Sequence, residues 1–133
     1  MSENLDLVRS LFADWQRGDW SPVEWADPEI EFVIADGPDR RTLKGLTAMA
    51  DGWREFLTAW IGYGVQADEI RELGDDTVLV LLHAVGRGRT SGVELGQTSR
   101  QGANLFHLSG GKVTRLAIYF DHTQALDDLG LAE

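Results

Sequence analysis

Near the start of the chain, Leu5, Val8, Leu11, Phe12 and Trp15 recur at three- and four-residue spacing and so share one helical face. Gly18 stops that helix. In "SPVE", Ser21 can cap, Pro22 suits the first helical position and Glu24 completes a capping box. This predicts a short second helix, ended by Asp27-Pro28. A longer helix is predicted from Leu46 to Ile61, where Leu46, Met49, Trp53, Phe56, Leu57 and Trp60 form a broad apolar stripe ahead of Gly62 and Gly64. These aromatics read first as core packing, and part of the stripe can also floor a cavity.

Elsewhere the period is two. Glu29 to Ala35 reads as a strand with Ile30, Phe32 and Ile34 on one face and Glu29 and Glu31 starting the other. "DGPD" after it is turn chemistry. From Val65 onward the pattern stays extended: "VQADEIREL", a "GDD" turn, then the strongly apolar "TVLVLLHAV". The glycines of "GRGRTSG" bend or loosen the far end of that strand. "VELGQTSRQGANLFHL" reads as a long strand with a glycine bulge or kink, "SGGK" as a hairpin turn and "KVTRLAIYF" as the last strand. "TQALDDLG" closes the chain as a short helix. The order predicts an α+β fold, one domain over residues 1–133, with helices packed on one face of a strongly curved antiparallel sheet. Such a sheet, closed by helices, makes a cone with an open mouth, a natural small-molecule pocket.

Composition narrows the partners. A net charge of -10 argues against nucleic acid and anionic membrane surfaces, whose phosphates need Lys and Arg opposite them. There is no cysteine, hence no disulfide framework and no thiolate chemistry. The N-terminal "MSENLDLVRS" has no apolar signal core, and no window approaches the ~20 apolar residues of a membrane span. The expectation is a cytoplasmic protein.

Among candidate chemical groups, Asp36 comes first. Strand parity continues from Ile30, Phe32 and Ile34 to Asp36, so a regular strand would aim its carboxylate inward, where apolar neighbours raise its pKa and its strength as a base. If the strand ends early, Asp36 starts the turn and bonds the backbone two residues on. His83, His107 and His122 lack metal-ligand spacing, so no metal is expected. His83, in the most apolar strand, reads as a satisfied core histidine, or as pocket lining if its face turns inward. His107 has the opposite parity to Asn104. Asp121 stands three residues before Gln124 and reads as a helix cap rather than an acid catalyst. Arg100 shares the parity of Asn104; turned inward it would anchor an anion or pair with Asp36, and otherwise it is exposed. There is no phosphate loop and no nucleophile elbow.

The element order, "QRGDW" closing helix one, "EFVIADGPDRRTLKG" entering the long helix and "LSGGKVTRLAIYFDHTQAL" carry a resemblance. The chain resembles the nuclear-transport-factor-2-like superfamily, specifically its SnoaL-like, ketosteroid-isomerase-like branch, over nearly its whole length. That implies a cone-shaped, cystatin-like α+β barrel. It leaves function open, since the superfamily holds isomerases, polyketide cyclases, dehydratases, epoxide hydrolases and non-catalytic binding domains.

In ketosteroid isomerase the proton-shuttling Asp lies nine residues before the glycine that opens the long helix, as Asp36 does before Gly45. Asn104, eight residues before Lys112, matches that enzyme's oxyanion-hole Asp and a catalytic His of SnoaL-type cyclases. An Asn amide can polarise a carbonyl but cannot shuttle a proton; the residue reads equally as a buried Asn tied to backbone. The isomerase's helix-one Tyr maps to Leu11 and the cyclases' last-strand Asp to Ile118, so neither mechanism carries over whole. Leu11, Trp15, Phe32, Trp53, Phe56, Trp60, Phe106, Ile118 and Phe120 are the expected apolar lining of the cone, with His83 and Arg100 as polar members.

Two readings follow. One is a cofactor-independent enzyme on a hydrophobic, carbonyl-bearing molecule, with Asp36 as base and Asn104, helped by Trp15 or His83, on the enolate oxygen. The other is a binding or interaction domain that keeps the cone without the chemistry. A cavity bordered by Asp36 and Asn104 favours the first; if that cavity is filled by Trp15, Trp53 and Phe106, the enzyme reading fails. The superfamily commonly dimerises through the outer sheet face, so a homodimer is expected.

Overall fold

The computed structural model describes residues 3–17, 19, 25–35, 40–58, 60–88 and 101–130, with backbone alone at 56–58, 60–63 and 84–88. Helix α1 (Glu3–Gln16) is followed by β1 (Ala26–Ile34), β2 (Arg41–Lys44), α2 (Leu46–Thr58), β3 (Trp60–Glu72), β4 (Thr77–Gly88), β5 (Gln101–Ser109), β6 (Lys112–Tyr119) and α3 (His122–Leu129). The six strands form one sheet in the order β2-β1-β6-β5-β4-β3. The helix expected over "SPVE" lies outside the described residues.

The sheet is mixed rather than antiparallel throughout. β1 runs parallel to β6, with Phe32 opposite Leu116 and Ile34 opposite Ile118, while the other neighbours are antiparallel. Side-chain alternation fixes which face a strand buries and says nothing about its neighbour's direction. The short β2 was left unassigned by the sequence reading; it pairs with β1, Leu43 opposite Phe32. The long helix ends at Thr58, and β3 begins at Trp60, so Gly62 and Gly64 lie within a strand instead of ending a helix. Register shifts in β3, between Ile61 and Gly64 and between Ala67 and Glu69, add the local twist that bulges bring.

One face of the sheet carries α1 and α2. Val8, Leu11, Phe12 and Trp15 from α1 and Met49 and Trp53 from α2 pack on Ile30, Phe32, Val78, Val80, Phe106 and Leu116. The parity expected for β1 holds, with Ile30 and Phe32 buried on this inner face. α3 departs from the expected single layer of helices. Its Ala125 and Leu126 cover the outer face, over Leu79, Ala103, Leu105, Ala117 and Tyr119. The middle strands are apolar on both faces, and each face needs a cover.

Local signals behave as the sequence implies. The β5–β6 turn places Gly110 and Gly111 at φ 59° and 79°, the left-handed pair a tight hairpin requires. Asp121 is the N-cap of α3, its carboxylate accepting from the Thr123 N–H at 3.0 Å. Among the described residues no helix is long and apolar enough to cross a membrane.

Candidate functional site

A row of paired residues crosses the inner face. Ile34 pairs with Ile118, Ile118 with Asn104, Asn104 with Val80 and Val80 with Ile70. The four apolar members all belong to the cluster beneath α1 and α2. Asn104 is 4% exposed, the one buried non-aromatic polar side chain among the described residues. Neighbouring strands stand about 4.8 Å apart, so Asn104 lies roughly 10 Å from Ile34 across β6.

The sequence left the inward face of this strand open. The structure settles it: Asn104 and Phe106 face inward, while Ala103 and Leu105 face α3. His107 accordingly points outward. It is half-buried, and that burial pushes its pKa below the ordinary value, helped by the Arg115 charge and opposed by Asp76.

Next to this row the interior is occupied by rings. Trp15 stacks at a tilt on Trp53, centroids 5.5 Å apart, and lies 4.8 Å from Phe12 and 6.4 Å from Phe106. Phe32 meets the Trp53 ring edge-on at 5.4 Å. Trp25, which the sequence reading passed over, joins from just ahead of β1 at 5.9 Å from Trp15. Trp15, Trp53 and Phe106 thus pack in the centre of the cone, the arrangement that counts against a deep enzyme cavity. Leu11 is buried with them, Ile118 is partly buried against the same cluster and Phe120 is half-buried. Asp36 and Arg100, and the side chains of Phe56 and Trp60, lie outside the described residues.

His83 is not a core histidine. Its side chain is 35% exposed, and alternation along β4 groups it with Leu79 and Leu81 of the outer cluster, away from Val80 and Leu82. Its Nδ1 lies 2.9 Å from Oδ1 and 3.1 Å from Oδ2 of Asp68. Asp68 was missed: regular pairing from the "GDD" turn sets Ala67 opposite His83, and the register shift between Ala67 and Glu69 is what brings Asp68 to it. His83 does line a cavity, of about 380 Å³, together with Gln16, Gly64, Val65 and Gln66. Val65 and Gln66 have opposite parity on the edge strand β3, so this cavity runs along the sheet's edge rather than beneath its inner face.

No family model matches the chain, and no curated protein does. Solved structures do. An NTF2-like protein of unknown function from Burkholderia pseudomallei superposes with a TM-score of 0.78, covering 96% of this chain and 97% of its own at 19% identity. This is the nuclear-transport-factor-2-like fold. A provisionally named polyketide cyclase from Sinorhizobium meliloti shares the NTF2-like fold at TM-score 0.65 and 23% identity, over 85% of this chain and 93% of that one. A protein with a ketosteroid isomerase-like fold from Catenulispora acidiphila, in complex with trimethylamine, matches at 0.70 and 16% identity, over 95% and 93%. These are neighbours from the expected branch, and at such identities the likeness is one of fold.

Proposed function

We propose that the chain binds a hydrophobic small molecule bearing a carbonyl oxygen, and that the Asn104 amide is the donor to that oxygen. One observation carries the reading: a carboxamide is buried in an otherwise apolar row, on the face this fold closes with helices. A hydrogen bond from that amide to a ligand oxygen, made in an apolar setting, would contribute about 0.5–1.5 kcal/mol. The neighbour in complex with trimethylamine, and the one named as a polyketide cyclase, support small-molecule binding. The rings of Trp15, Trp53 and Phe106 occupy the deep interior, so the ligand seats toward the ends of β1 and β6.

β1 ends at Ile34, although the Ala35 N–H still bonds the Ile118 carbonyl at 2.9 Å; an extended backbone continued from there would bring Asp36 to the same face. There it acts as the base, taking a proton from the carbon beside the carbonyl while Asn104 steadies the enolate oxygen. Asn104 cannot carry a proton, so Asp36 handles every transfer and no cofactor enters. A second reading, a cone that binds without turnover, is favoured by the buried Leu11 and by Ile118, where the related enzymes place a Tyr and an Asp.

The test is a calorimetric and turnover screen of steroid and polyketide ketones. Binding by the wild type, weakened in Asn104→Leu, supports the site. Turnover lost in Asp36→Asn with binding kept supports the base; turnover unchanged in that variant removes Asp36 from the chemistry. No ketone bound by the wild type sinks the proposal.

A further inference from the structure

The cavity at the edge of the sheet holds a pairing that the ketone site does not use. Asp68 takes Nδ1 of His83 with both carboxylate oxygens, at 2.9 and 3.1 Å. A carboxylate in that position accepts the Nδ1 proton and fixes the ring's tautomer. Nε2 is then the lone-pair acceptor of a residue that already lines the cavity.

The rest of the lining defines what could sit against it. Gln16 and Gln66 bring carboxamides that both donate and accept, Val65 brings a small apolar surface and Gly64 brings no side chain. About 380 Å³ lies at the lower end of the range for small-molecule sites, enough for one substituted ring. Among the described residues no group of three His, Asp or Glu is placed to hold a metal ion. The Asp68 charge beside His83 and the net charge of -10 both disfavour an anionic ligand. A neutral ligand with an acidic hydroxyl satisfies every one of these conditions.

We propose that the edge cavity is a second small-molecule site, for a phenol or enol, with His83 Nε2 accepting the ligand hydroxyl and Asp68 holding the ring. Gln16 and Gln66 meet polar atoms at the ligand's far end. The site is independent of Asn104 and Asp36: His83 stands three residues along β4 from the partner of Asn104, and on the opposite face. No bond is broken; the hydroxyl proton is shared along the O–H···Nε2 bond, and the Asp68 carboxylate compensates charge that builds on the imidazole.

The probe is para-nitrophenol, whose absorbance reports the state of its hydroxyl and whose nitro group offers acceptors to the two carboxamides. Titration into the wild type should saturate at one per chain, with amide shifts at residues 64–66 and 83. His83→Phe should weaken binding at least about ten-fold, the scale of one charge-supported hydrogen bond, and Asp68→Asn by a smaller factor. Circular dichroism checks that both variants fold, and nitrogen-15 spectra of the histidine ring give a readout in the unsubstituted protein. A proton on Nδ1 and none on Nε2 supports the pairing, and the reverse tautomer overturns it. The site is also overturned by the absence of saturable binding, by equal affinity in His83→Phe, or by shifts around Asn104 and Ile118 instead. That last outcome would leave the ketone site standing.

Discussion

Asn104 and Ile34 lie in one row across the inner face, with Ile118 between them and paired to both. The row brings the end of β1 and the single buried amide of β5 to one level of the cone. Replacing Asn104 by Leu should therefore separate stability from function. The variant is expected to gain about 1 kcal/mol in a urea melt, because an apolar side chain suits Val80, Ile118 and Phe106 better than a carboxamide. Ketone affinity should fall in the same variant. A loss of stability would mean that Asn104 serves the fold and not a ligand.

Trp15 is the hub of the interior, in ring contact with Phe12, Trp25, Trp53 and Phe106. Trp15→Ala should cost about 3–5 kcal/mol, a large share of the roughly 5–15 that holds a domain together. Thermal denaturation followed by near-ultraviolet circular dichroism measures this. A loss below 1 kcal/mol would show a loosely packed centre and reopen the deep cone to ligands.

Two glycines should respond in opposite ways to alanine. A Cβ at Gly102 would fall 2.6 Å from the backbone carbonyl of Tyr119, an atom of the neighbouring strand that cannot turn aside. Gly102→Ala should destabilise by about 1–3 kcal/mol. At Gly52 the Cβ meets only the end of Leu43, a half-buried side chain free to rotate, within a helix that favours alanine. Gly52→Ala should be neutral or stabilising by up to about 1 kcal/mol. Chemical denaturation of the pair compares them, and equal losses would contradict the contrast.

His107 gives the fold a defined acid response. Its pKa in the folded protein is depressed, first by burial and then by Arg115, with Asp76 working against both. The unfolded chain, at the ordinary value of about 6.5, therefore takes up the proton first as pH falls. His107 thus supports the fold fully above about pH 6.5, and that support is lost downward toward the folded pKa. His107→Gln should flatten the fall in stability as pH drops below about 6.5, measured as urea midpoints against the wild type. An identical slope in the variant would remove His107 as the source.

Much of this was legible along the chain. Alternation in β1 told which face Ile30, Phe32 and Ile34 bury, because a half-buried strand repeats every second residue. The glycine pair at the hairpin and the cap at Asp121 were legible because each satisfies a purely local need. What escaped notice depends on residues far apart. The parallel pairing of β1 with β6 leaves no trace in either strand's own pattern. α3 crossing to the outer face follows from Leu79, Leu105 and Ala117, whose apolarity read simply as a buried strand. The partnership of His83 with Asp68 depends on a bulge in β3, and a short polar segment does not announce a bulge. Asp36 and Arg100 lie beyond the described residues, so the base and its alternative partner stand on parity alone.

The parallel pairing of β1 with β6 also orders events during synthesis. β1 is made well before β6, the strand that seals its inner edge. Until β6 arrives, Ile30 and Phe32 have their apolar face in place with no neighbour on that side. Contacts of such long sequence separation form slowly. Between the synthesis of β1 and that of β6 the apolar segment around Ile30 and Phe32 thus lacks its partner, and it is the stretch most exposed to wrong pairing in that interval.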